Sequence, residues 1–405
     1  MAPTQMTTSE NKDHWSAEAY SASAAFVPKL TQKVLHYLDP QPTERVLDVG
    51  CGDGKFTANF IPHVASVLGI DASPSMIESA KKDYGGPNAE FRVVDFTSFY
   101  GWHFFHFPPP PPPEIVGTAI RVGPKVTLIK AGSRVGVGAQ SYSCGDCKQC
   151  KNENETYCPN IMIDTYGSKW PETGIVSQGG YSSHVRTHEN WVFPIPEKLE
   201  TANVAPMLCA GLTAYSPLVR NGCGPGKKVG IVGLGGIGHF GVMFAKALGA
   251  ETWAISRSRA KEADALKLGA DGYIATAEEG WEVPHRFSFD LIIMCANSSK
   301  GFDLGKYLSM MDVHGRWVSV GLPEEEGPAI KPQSLLANGV LMGASHLGSR
   351  REMLEMLQLA ADKGLKSWVE EVQIGEDGLR DVVNRMKKGD VRYRFTLTGY
   401  EKVFG

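Results

Sequence analysis

Half of the chain's eight cysteines fall within 15 residues, at Cys144, Cys147, Cys150 and Cys158 in the run SCGDCKQCKNENETYCP. Their spacing is C-x2-C-x2-C-x7-C. Four thiolates so spaced close tetrahedrally around Zn2+, and a site closed by four protein ligands leaves no position for water or substrate. The chemistry predicted here is structural. Cys51, Cys223 and Cys295 stand alone in sequence and read as packed core thiols.

A second constellation suits a dinucleotide. In KKVGIVGLGGIGHFGVMFAKALGA the apolar strand VGIV runs into Gly233, Gly235, Gly236 and Gly238, and a helix with apolar spacing at Phe240, Phe244 and Leu248 follows. Glycines let the backbone turn tightly, and the helix N-terminus offers free N–H groups to a pyrophosphate. The next strand, TWAIS, ends on Ser256-Arg257-Ser258-Arg259, with Lys261 close behind. A carboxylate at this position would bind a ribose diol; hydroxyls and cations suit a 2′-phosphate instead. The sequence therefore predicts NADP(H) over NAD(H).

A third constellation lies near the start. VLDVGCGDG at 46–54 is another apolar strand running into glycines, followed by the helix-like KFTANFI. The strand SVLGID ends on Asp71, 17 residues after Gly54, where an acid suits a ribose diol, and AEFRVVDF carries Asp95 at its end. Two strand–glycine loop–helix units in one chain raise the question of fusion.

These sites must be held by at least two domains, for which 405 residues suffice. Charged residues make up 21% and hydrophobic ones 42%, an ordinary globular composition. A net charge of -3 without a dominant basic stretch excludes nucleic acid as an expected partner. The Gly-rich uncharged run between Lys228 and Lys246 falls short of the roughly 20 apolar residues of a membrane span. The polar opening MAPTQMTTSENKDHW lacks the apolar core of a signal peptide, so a cytoplasmic protein with reduced cysteines is expected. Composition breaks sharply at FYGWHFFHFPPPPPP, residues 99–113. Six prolines form a stiff polyproline segment, readable as a domain linker or as a seam between two joined pieces.

The cysteine lobe and its flanks resemble the zinc-containing medium-chain alcohol dehydrogenases of the NADP-dependent cinnamyl-alcohol-dehydrogenase type. The matching flanks are EIVGTAIRVG at 114–123, AGSRVGVG at 131–138 and GGYSSHVRTHENWVFPIP at 179–196. By this resemblance Val320 and Gly321 in GRWVSVGLP, and Ser345 and Leu347 in GASHLGSRREMLEML, pass near nicotinamide. Within MLCAGLTAYSPL, Cys209 becomes a catalytic-zinc ligand and Thr213 lies near the cofactor. The substrates implied are small alcohols and their aldehydes, and the assembly implied is a homodimer. The first segment resembles the S-adenosylmethionine-dependent methyltransferases, its HWSAEAYSASAAFV opening being similar to the trans-aconitate-methyltransferase branch. That resemblance puts Asp48, Gly50 and Gly52 at the methionine, Asp71 at ribose and Asp95 at adenine.

Both resemblances are broken. A catalytic zinc in this family takes three protein ligands and keeps one open position. The first cysteine belongs to a C-x2-C-H segment upstream of the lobe, but before Glu114 the chain has only Cys51. The histidine belongs to a Gly-His-Glu segment that here reads Pro112-Pro113-Glu114. Cys209 and Glu114 remain, with His103 and His106 the histidines nearest in sequence. The methyltransferase pattern stops near Phe96, leaving its first strand an uncovered apolar edge and no acceptor site; S-adenosylmethionine binding there would not lead to methyl transfer. The expected class is α/β. A Rossmann-fold domain (201–324) is inserted in a truncated GroES-like β-rich domain (114–200 and 325–405). A partial Rossmann-like methyltransferase fragment (1–98) and the linker or seam (99–113) precede them. The leading function is an NADP-dependent alcohol dehydrogenase-like oxidoreductase. The alternatives are a methyltransferase, or a non-catalytic nucleotide- and zinc-binding fusion or joined gene model.

Overall fold

Apolar strands that turn into glycine-rich loops dictate two separate parallel sheets, one in each unit of the chain, 1–109 and 110–403. The computed structural model describes residues 40–404 except Gly50, Ala72, 94–113, 299–300, 324–329 and Lys331.

In the first unit, β1 (Arg45–Val49), β2 (Ser66–Asp71) and β3 (Ala89–Val93) pair in parallel in the order β1-β2-β3. Helix α1 (Pro74–Tyr84) starts where Pro74 fixes φ and the Ser73 hydroxyl accepts from the Met76 N–H, and it buries Ile77 and Ala80 against Phe91. Among the described residues β1 ends the sheet, with Leu47 42% exposed. The helix expected over KFTANFI does not form. The segment makes two 3₁₀ turns, Thr57–Asn59 and Ile61–His63. Pro62 removes a helical donor, and the Thr57 hydroxyl, 2.6 Å from Asp48 Oδ2, draws the chain down onto β1.

The second unit opens with antiparallel pairings. Strands β4 (Ile115–Thr118), β5 (Arg134–Val137), β6 (Gln140–Ser143), β7 (Met162–Asp164), β8 (Tyr166–Lys169), β9 (Val176–Gln178) and β10 (Val192–Pro194) form a three-stranded sheet β10-β5-β4 and the hairpins β6-β7 and β8-β9. This half leaves apolar side chains uncovered, among them Ile120, Ile175 and Val185.

Helix α2 (Ala210–Arg220) then leads into the doubly wound part: β11 (Lys228–Val232), α3 (Gly238–Ala247), β12 (Glu251–Ser256), α4 (Glu262–Lys267), β13 (Gly272–Ala275), β14 (Phe289–Met294), β15 (Met311–Ser319) and β16 (Leu341–Ala344). The sheet order is β13-β12-β11-β14-β15-β16, all parallel, so its edge strand lies beyond residue 324. Its central strands β11 and β14 are apolar runs buried on both faces, as the middle of a parallel sheet requires, while β16 at the edge is largely exposed. Helix α5 (Arg350–Lys363) begins with a Ser349–Glu352 capping box, and the last strands β17 (Val369–Gln373) and β18 (Arg394–Thr398) pair in parallel.

Candidate metal and dinucleotide sites

The four-cysteine lobe lies between β6 and β7. Its sulfurs all fall within 4.8 Å of one another. Cys144 and Cys150 are 3.9 Å apart, Cys147 and Cys158 3.8 Å, and Cys158 and Cys144 3.5 Å. A tetrahedron with metal–sulfur bonds of about 2.3 Å has edges of about 3.8 Å, so the set fits Zn2+. Backbone N–H groups of Cys147 and Ile161 donate to Cys144 and Cys158. N–H donors hold the Cys144 thiol down to about 6, while burial pushes Cys150 up to about 12. A divalent cation would convert all four to thiolates.

Gly233, Gly235, Gly236 and Gly238 make the turn from β11 into α3. Gly233 sits at φ 89°, and a β-carbon on Gly238 would fall 1.9 Å from the Gly233 carbonyl, so neither position admits a side chain. Gly235 faces open space, as close approach by a ligand requires. On the next crossing, a β-carbon on Gly321 would strike the Ala296 carbonyl at 2.2 Å. Val320 and Gly321 lie just past the end of β15. Ser345 follows β16, and its N–H donates to the Ser319 carbonyl. Leu347 is buried, at φ 51°. Thr213 is in the first turn of α2, its N–H bonded to the Cys209 carbonyl.

The turn after β12 separates its cations into three environments. Arg259 is taken up by Glu278 and Glu262. Lys261 is half-buried; its ammonium donates to the Leu234 carbonyl at 2.6 Å and lies over the Tyr393 ring. Arg257 is exposed, with no ion pair to a described residue, and Ser256 ends the strand where a carboxylate would stand in a diol-binding site. The Tyr273 hydroxyl, bonded to the Ser258 carbonyl, fixes the turn.

Cys209 caps α2, and Glu114 precedes β4. The Glu114 side chain is only 7% exposed, and it accepts from Arg394 Nη2 of β18. Arg394 also packs against the glycine loop, 3.2 Å from where a Gly236 β-carbon would be. Burial pushes the Glu114 carboxyl up, opposed by the Arg394 charge; burial and Glu114 together push the Cys209 thiol up. The Asp164 charge adds to the upward push on Cys209, and the Glu114 charge acts on the Tyr166 and Tyr181 hydroxyls, which burial already holds up. Sequence reasoning missed these three and Arg394, which no local spacing announces. Among the described residues, the only group of three or more Cys, His, Asp or Glu ligand atoms within 4.8 Å of one another is the lobe. Cys209 and Glu114 belong to no such group, so among the described residues these two do not by themselves make up the three-ligand set of a catalytic zinc. His103 and His106 lie outside the described residues.

In the first unit, Asp71 accepts from the Gly52 and Ser73 N–H groups, both at 2.9 Å, and Asp48 from Thr57. Gly50 and Asp95 lie outside the described residues.

Comparison with known proteins agrees with this architecture. Residues 236–362 match the zinc-binding dehydrogenase model, 89–197 the alcohol dehydrogenase GroES-like domain and 46–105 a methyltransferase domain. The chain is 51% identical over 306 residues to NADP-dependent alcohol dehydrogenase 6 of Saccharomyces cerevisiae, covering 75% of this chain and 84% of that protein. It is 35% identical over 379 residues to NADP-dependent alcohol dehydrogenase C of Mycobacterium tuberculosis, covering 94% and 97%. A cinnamyl alcohol dehydrogenase structure from Sorghum bicolor superposes with a TM-score of 0.67 at 33% identity, covering 75% of this chain and 84% of that one. The chain belongs to the zinc-type medium-chain alcohol dehydrogenases, with a methyltransferase-like segment at its start. Among the described residues, no helix is long and apolar enough to cross a membrane.

Proposed function

We propose that this chain is an NADP(H)-dependent oxidoreductase of the alcohol dehydrogenase type, acting on small alcohols and aldehydes. The observation that carries the reading is the turn after β12, where Ser256 and Arg257, which has no ion pair among the described residues, stand in place of a carboxylate beside a glycine loop shaped for a pyrophosphate. When bound, the nicotinamide supplies the hydride. The N–H groups after Gly233, Gly235, Gly236 and Gly238 would hold the pyrophosphate, and Ser256, Arg257 and Lys261 the 2′-phosphate. Thr213, Val320, Gly321, Ser345 and Leu347 would line the nicotinamide side. Cys144, Cys147, Cys150 and Cys158 would hold a structural zinc.

In this reading, a dehydrogenase without its N-terminal start follows the first part of a methyltransferase. GroES-like parts at 114–200 and 325–405 flank the nucleotide-binding domain at 201–324, whose sheet takes its last strand from β16. The protein would be a cytoplasmic homodimer. Asp48, Gly50, Gly52, Asp71 and Asp95 would be the remnant of an S-adenosylmethionine site without methyl transfer. Titration with NADPH and NADH, followed by cofactor oxidation against a panel of aldehydes, tests the function. Equal affinity for both cofactors would refute the NADP(H) assignment, and a silent panel would refute the reaction.

A further inference from the structure

We propose that Tyr157, within the cysteine lobe, is a positioning residue for the nicotinamide half of the cofactor, acting through the backbone of His346. The inference rests on the proposed function, which puts Ser345 and Leu347 on the nicotinamide side. His346 lies between them, and its N–H donates to the Tyr157 hydroxyl at 3.1 Å. The two residues are 189 apart in sequence, so only the packing of the lobe brings them together.

The strip 345–347 needs such holding. Leu347 is buried at φ 51°, a left-handed conformation that a leucine keeps only where its surroundings impose it. On one side the Ser345 N–H is fixed to the Ser319 carbonyl of β15; on the other the Ser349 N–H is fixed to the Glu352 carboxylate. Between these anchors the Tyr157 hydroxyl takes the His346 N–H, directly before the left-handed residue. The lobe is seated firmly enough to serve as a support. Glu153 pairs with Arg351 at 2.7 Å, and Arg220, which holds Glu352, also donates to Asn154 at 2.7 Å. Residues 153–157 thus run alongside 346–352, with Tyr157 at the end next to the strip. A strip ordered before the cofactor arrives lowers the entropy that binding must overcome. The adenosine end is held elsewhere, at the glycine loop and the turn after β12, so the hydroxyl acts on one half of the nucleotide.

The test is titration of the full-length protein with NADPH and with 2′-phospho-ADP-ribose, which keeps the pyrophosphate and the 2′-phosphate but lacks nicotinamide. Tyr157→Phe removes only the hydroxyl. It should weaken NADPH about 3- to 10-fold, as loss of one hydrogen bond would, and leave 2′-phospho-ADP-ribose unchanged. Amide exchange over residues 344–348, followed by mass spectrometry without nucleotide, should be faster in this variant. Asn154→Ala, which cuts a bond of the lobe away from the strip, should keep the wild-type ratio of the two affinities. Equal weakening of both ligands, an unchanged NADPH affinity, unchanged exchange, or the same shift in Asn154→Ala would overturn the proposal. A wild type that binds both ligands equally would also overturn it and leave the NADP(H) assignment standing. A wild type that binds neither would overturn the proposed function along with it.

Discussion

The ammonium of Lys261 donates to the carbonyl of Leu234 at 2.6 Å, tying the turn after β12 to the glycine loop that opens α3. The two elements proposed to hold the pyrophosphate and the 2′-phosphate are thereby fixed to each other, with the Tyr393 ring beneath the ammonium.

Arg257 and Lys261 should therefore respond differently to substitution. Arg257→Ala should weaken NADPH about 10- to 150-fold, the equivalent of about 1.5–3 kcal/mol for a charge-assisted contact, and leave NADH unchanged. Lys261→Met should weaken both cofactors, because the loop loses its tether. Fluorescence titration of each variant with both nucleotides checks this, and an effect of Lys261→Met on NADPH alone would contradict the tether.

Glu352 should carry an acid-sensitive part of the stability. It is buried and accepts from Arg220, Ser216 and the Ser349 N–H. Burial opposes its ionisation, but the Arg220 guanidinium and the other donors outweigh burial and hold the carboxyl below the usual range. The folded pKa is the lower one. This stabilisation is thus complete above the unfolded value of about 4.3 and lost as pH falls through the folded value. Glu352→Gln should cost about 1.5–3 kcal/mol at neutral pH. Denaturant unfolding from pH 7 to 3 should show the difference shrinking on acidification.

His239 should act in a higher pH window. The ring is fully buried, stacked on Tyr393 at 5.4 Å, and its Nε2 has no hydrogen-bond partner among the described residues. Burial pushes its pKa down to about 3. The unfolded chain takes up this proton from about pH 6.5 downward, so stability falls by about 1.4 kcal/mol per pH unit below that point. His239→Phe keeps the stack and removes the orphan nitrogen. Between pH 7.5 and 5.5 the wild type should lose about 1.4 kcal/mol more than this variant; equal losses would show that His239 takes up its proton in the fold.

The first unit should not stand alone. The three strands among its described residues, with β1 at the edge, bury little surface and leave a template for intermolecular pairing. Residues 1–113 expressed separately should aggregate or remain partly unfolded, while 114–405 should still bind NADPH. A monomeric fragment that unfolds cooperatively on size-exclusion and calorimetric tests would return the methyltransferase reading to the front.

What the sequence disclosed was what it held close together. The lobe's four ligands span 15 residues, and the glycine loop is one strand–turn–helix. Both could be read from spacing and residue type alone. The Glu114–Arg394 pair spans 280 residues and depends on the strands between them, so nothing local announced it. KFTANFI, read by itself, looked helical, with Pro62 standing just beyond it. Tertiary bonding of Thr57 to Asp48 decided otherwise. His239 lay in plain view within the loop motif, but its burial depends on Tyr393, far along the chain.

Asp71 in the first unit already accepts two N–H groups of its own segment, from Gly52 and Ser73. The acid that would greet a ribose is thus engaged by an internal rival that dilution never removes. A carboxylate has about four lone-pair sites, so a ribose diol would share the acid with that rival rather than have it whole. The segment has, in effect, become its own ligand.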